Sequence, residues 1–79
     1  MINYELLRKR VKSSGMTMVA ISEKTGILRE TLYNKLNGKS EFYVSEIVAL
    51  TATLHLTKDE RDKIFFAKEV ELNETVKGE

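Results

Sequence analysis

Apolar residues recur along this chain at spacings of three and four, nearly throughout, which is the period of a helix with one buried face. Leu6, Leu7 and Val11 fall on one such face. Val19, Ala20 and Ile21 begin a second, and Leu32 and Leu36, one turn apart, a third. Ile47, Val48, Leu50, Thr51 and Leu54 form a fourth, and Ile64, Phe65 and Phe66 a fifth. The chain has no proline to interrupt these runs.

Polar punctuation between the runs sets the expected boundaries. Asn3 can cap the first helix, and Ser13-Ser14-Gly15 ends it. Thr17 can cap a second helix that stops at Gly26, where the left-handed backbone of a helix end suits glycine. The third helix is predicted over Arg29 to Leu36, closed by Asn37-Gly38. A loop, Lys39 to Tyr43, leads to a fourth helix over roughly Val44 to Leu54. Thr57 and Glu60 have the three-residue spacing of a capping box and open the fifth. Beyond Ala67, Val70 and Leu72 alternate as in a short strand, a pattern equally consistent with a frayed helix end. From Asn73 onward the composition favours a disordered tail.

At 79 residues, 42% of them hydrophobic, the chain fits one small domain of modest stability. It has no cysteine and one histidine, His55, so neither a disulfide frame nor the usual histidine or thiolate metal site is expected. His55 itself fits a helix end. The charged start, "MINYELLRKRVK", lacks the apolar core of a signal peptide, and no run approaches the ~18 apolar residues of a membrane span. A soluble, cytoplasmic protein is expected.

Charge changes the picture only when the chain is divided. The net charge is +1, but residues 1–40 carry eight basic and three acidic side chains, +5, while residues 41–79 carry five and nine, −4. The basic footprint of a nucleic-acid binder is thus confined to the first half. No nucleophile–base pair and no phosphate-cradling glycine loop stands out, and Asp59-Glu60 reads as helix-start charge. An enzyme is not expected, and no cofactor or metal.

Two short helices joined by a tight glycine turn describe a helix-turn-helix, whose second helix enters the DNA major groove. On that geometry Arg29, Glu30, Thr31 and Asn34 form the base-reading side. Arg29 suits guanine, Asn34 adenine and Glu30 a cytosine amine. Thr17 and Met18, at the start of the second helix, Lys35 on the third, and Asn37, Lys39 and Ser40 after it are the candidate phosphate contacts. Ordinary solvated helix faces are the alternative account of the same side chains.

The stretch "MVAISEKTGILRETLYNKLNGKSEF" resembles the helix-turn-helix of the Cro and lambda-repressor family of phage and bacterial regulators. Gly26 matches the turn glycine, Ile21, Ile27 and Leu32 the interior positions, and Asn37-Gly38 the close of the recognition helix. The likeness continues through "NGKSEF…SEI…L…LTKDERDKIFF" and covers roughly Tyr4 to Ala67. It is similar there to small phage-encoded Cro-like proteins of Gram-positive hosts. The resemblance implies an all-α, five-helix DNA-binding domain over residues 1–68, followed by a flexible tail at 69–79. It also implies a transcriptional repressor in the bacterial cytoplasm that binds double-stranded operator DNA in a lytic–lysogenic switch. Four positions depart from the family pattern. Leu28 replaces a serine or threonine cap, Met18 a glutamine, Ser22 an alanine, and Tyr43 a capping residue, which leaves Glu46 without its capping-box partner.

Binding as a weak homodimer on a pseudo-palindromic operator is the expected mode. Phe65, Phe66 and Val70 are the candidate dimer or partner contacts, since adjacent aromatics cannot both face the core of one helix. A protein of another class is the alternative: a modulator or antirepressor that uses the same scaffold to sequester a partner phage repressor.

Overall fold

Helix boundaries fall close to where the spacing predicts, and side-chain caps start α1, α2 and α5. The computed structural model describes residues 2–66 and forms five helices: α1 (Tyr4–Ser13), α2 (Met18–Thr25), α3 (Arg29–Leu36), α4 (Val44–Thr53) and α5 (Lys58–Phe65). The fold is all-α, with no strand among the described residues. Val70 and the segment 69–79 lie outside them.

Asn3 Oδ1 accepts the Leu6 N–H at 3.1 Å, and Thr17 Oγ1 accepts that of Ala20 at 3.1 Å. Thr57 and Glu60 form the full capping box, at 3.1 and 2.9 Å. The fourth helix ends one residue earlier than the spacing suggests, because His55 takes a left-handed backbone, φ 55°. That turn lets the Leu56 N–H reach back to the Thr51 carbonyl at 2.9 Å, satisfying a helix-end acceptor.

Every helix contributes to one core. Leu7, Ile21, Leu32, Leu50 and Ile64 are fully buried at its centre, and Ile27, Leu36, Leu54, Leu56 and Phe65 surround them. Burial of these side chains supplies most of the driving force, about 1.5–3 kcal/mol each before entropy is charged. Helix α2 packs on α4 and α3, while α1 spans α3 and α5. Three ties close the arrangement. The Asn3 N–H donates to the Ile64 carbonyl at 2.7 Å, joining the start of α1 to the end of α5. Phe42, in the loop before α4, packs edge-on against Phe65, with ring centres 5.6 Å apart. Gly38, with φ 79°, lies under the Tyr4 ring, where an added Cβ would sit 3.4 Å from it.

The aromatic pair corrects one sequence expectation. Phe65 is 3% exposed and belongs to the core, as does Ile64, and Phe66 is half-buried against the same cluster. Phe65 is thus the core member of the pair and not a surface contact, while Phe66 keeps part of its surface exposed. The most exposed apolar side chains lie elsewhere, at Leu28 before α3 and at Tyr43, Val44 and Val48 around the start of α4.

Candidate nucleic-acid interface

The turn between α2 and α3 is knitted by short-range bonds. Gly26 adopts φ 78° and donates its N–H to the Ser22 carbonyl at 2.9 Å. The Ser22 hydroxyl donates to the Ile27 carbonyl, and the Ile27 N–H donates to Thr25 Oγ1 at 3.3 Å. Ser22 departs from the alanine of the resembled family, and here its hydroxyl fastens the turn. Ile27 points into the core while Leu28, next in the chain, points out.

From that turn α3 divides into two faces. Leu32, Lys35 and Leu36 are buried, whereas Arg29, Glu30, Tyr33 and Asn34 are exposed and Thr31 is half-buried. Glu30 and Asn34, four residues apart, stack on the outward side. The Arg29 and Glu30 side chains join no ion pair among the described residues, and the uncharged amide of Asn34 is exposed, so this face offers donors and acceptors to a ligand. Tyr33, 48% exposed, extends this surface and was not among the sequence candidates. Its periodicity marks it only as a non-core position.

Lys35 requires a correction. It is 4% exposed, its ammonium donates to Glu46 Oε1, and it lies 4.3 Å from the centre of the Tyr43 ring. A lysine so enclosed is not a phosphate contact. Glu46 in turn accepts the Tyr43 N–H at 2.8 Å, which is half of a capping box, so it finds partners despite the missing serine or threonine. Burial is the largest influence on the Glu46 carboxyl and raises its pKa. The Lys35 hydrogen bond, the Tyr43 N–H and the Lys35 charge together outweigh it and leave the carboxyl below its ordinary value.

The remaining phosphate candidates divide by whether their polar atoms are already used. Asn37, Lys39 and Ser40 are exposed in the loop after α3, and the Lys39 N–H donates to the Asn34 carbonyl at 2.8 Å, which holds the loop against the helix end. The exposed Thr17 hydroxyl accepts the Ala20 N–H in its cap and keeps its own O–H to donate, while the Met18 side chain packs against the core. That O–H and the backbone N–H groups of the first turn of α2 are the donors left there for an anion.

Two arginines of the basic first half also serve the fold. Arg8 Nη1 donates to the Leu36 carbonyl at 2.9 Å, covering the C-terminal end of α3 where a cation is favoured. Arg10 Nε faces Glu60 at 3.4 Å. The basic side chains of residues 1–40 that stay exposed and out of these contacts are Lys9, Lys12, Lys24, Arg29 and Lys39. Among the described residues no group of histidine, cysteine or acidic side chains could hold a metal ion, and no helix is long and apolar enough to cross a membrane. No family model, curated protein or solved structure matches the chain.

Proposed function

We propose that this chain is a sequence-specific DNA-binding regulator of the Cro and lambda-repressor kind, with α2 and α3 as its helix-turn-helix. One observation carries the proposal. Helix α3 is anchored on one side by Leu32, Lys35 and Leu36, and offers uncommitted Arg29, Glu30 and Asn34 on the other. That division suits a helix laid in the ~12 Å major groove, where side chains meet base edges while the rest of the unit rests on the backbone. Lys39, Ser40 and Asn37 would contact phosphate beside it and set register. Operator binding as a weak homodimer places two such helices about one DNA turn apart.

The test is an anisotropy titration of the full chain against the DNA flanking its own gene, beside unrelated DNA, over a salt series. Binding that falls steeply with salt and separates the two DNAs by ~10³ or more supports the proposal. Equal weak binding to both sinks it. Arg29→Ala and Asn34→Ala should each lose about 1–3 kcal/mol of discrimination at one base pair, while affinity for unrelated DNA holds.

A second reading has its own observation. Leu28, Tyr43, Val44 and Val48 are exposed apolar side chains, and such residues suit a modulator that sequesters a partner repressor. Equal weak binding to both DNAs, together with a stable complex with a neighbouring repressor, would favour it.

A further inference from the structure

Leu28 is the least economical residue on the α3 side of the molecule. It is the N-cap of α3 and makes no side-chain capping bond, and its side chain is 76% exposed. A serine, threonine, asparagine or aspartate would satisfy an orphan N–H there and stabilise the helix. Leucine forgoes that bond and leaves an apolar side chain in water. Nothing in the core recovers the loss, because the turn sends Ile27 inward and Leu28 outward. Its backbone, φ −58° and ψ 142°, is well set, with its carbonyl accepting the Leu32 N–H at 2.8 Å, so the exposed side chain stands on a rigid base.

The surroundings define what would meet it. Arg29 and Glu30 follow directly, both exposed and unpaired among the described residues. A ligand complementary to this corner therefore presents one small apolar group amid open donors and acceptors. The edge of a base pair in the major groove has that composition only where thymine contributes its C5-methyl.

We infer that Leu28 is a specificity-determining residue that packs on the C5-methyl of one thymine in each half-site. This rests on the DNA-binding proposal above and adds to it a residue outside the Arg29, Glu30, Thr31 and Asn34 set. Missing cap and exposed leucine then have one explanation: the helix start trades stability for an apolar contact to a base.

The experiment selects preferred sites for the full chain from a random double-stranded library. Each thymine of the selected site is then replaced in turn by deoxyuridine, which removes the methyl group and keeps the pairing. Wild type should lose about three- to fivefold in affinity at one thymine per half-site, the effect of withdrawing roughly one buried methyl. Leu28→Ser and Leu28→Ala should bind the thymine and deoxyuridine sites equally. Leu28→Ser restores a cap and should unfold at the same or a higher temperature than wild type, so its loss of discrimination cannot be laid to misfolding. If no deoxyuridine replacement weakens wild type, or if Leu28→Ser responds as wild type does, the inference is wrong while sequence-specific binding stands. If the library yields no preferred site, the DNA-binding proposal fails and this inference with it.

Discussion

Lys35 shares a helix with Arg29 and Asn34, yet its ammonium is turned inward onto Glu46 and against the Tyr43 ring. Spacing along α3 leaves its position at the edge of the buried face, and only Glu46, eleven residues later, decides which way the charge goes. Lys39 has the opposite situation, exposed in a loop with no acidic partner among the described residues. The two substitutions should therefore separate. Lys35→Met, which leaves the Glu46 carboxylate with the Tyr43 N–H alone, should cost about 1–3 kcal/mol in urea unfolding and leave the salt slope of DNA binding unchanged. Lys39→Ala should leave stability within about 0.5 kcal/mol and lower that slope by about 1. A reversed pattern would return Lys35 to the phosphate contacts.

At the scale of the element, helix boundaries were readable because their determinants are local. Asn3, Thr17 and the Thr57–Glu60 pair act on N–H groups three residues away, so their side-chain chemistry and spacing suffice. The end of α4 is the instructive exception. His55 occupies a left-handed position that glycine usually takes, at a cost of roughly 1 kcal/mol. His55→Gly should accordingly raise stability by no more than about 0.5 kcal/mol, because the added freedom of the unfolded chain offsets most of the relief, as measured by the urea midpoint at constant slope. The turn before α3 reads differently. Gly26 announces it, but the Ser22 hydroxyl that fastens it is recognisable only once the Ile27 carbonyl is beside it.

At the scale of the whole fold, two charged contacts among the described residues bridge helices: Lys35–Glu46 joins α3 to α4, and Arg10–Glu60 joins α1 to α5. Both carboxyls titrate below the ordinary value of 4.5. For Glu60 the Thr57 N–H is the main cause, opposed next by burial and then aided by the Arg10 charge. A carboxyl whose folded pKa is depressed is protonated more readily in the unfolded chain. Its stabilisation is complete above about pH 5 and lost as pH falls through the folded value. The melting temperature should thus decline from about pH 5 toward pH 3, and Glu46→Gln should flatten part of that decline. An unchanged profile in Glu46→Gln would mean that the α3–α4 tie does not titrate with folding.

The division between chain and fold follows from the range of the forces involved. Helical periodicity, caps and a glycine stop act within a few residues, so five helices, their order and the outward side of α3 can be read from the sequence alone. Burial depends on partners that only packing supplies. Packing placed Phe65 against Phe42, drew Lys35 onto Glu46, spent Arg8 and Arg10 on the Leu36 carbonyl and Glu60, and left Leu28 in water beside Arg29.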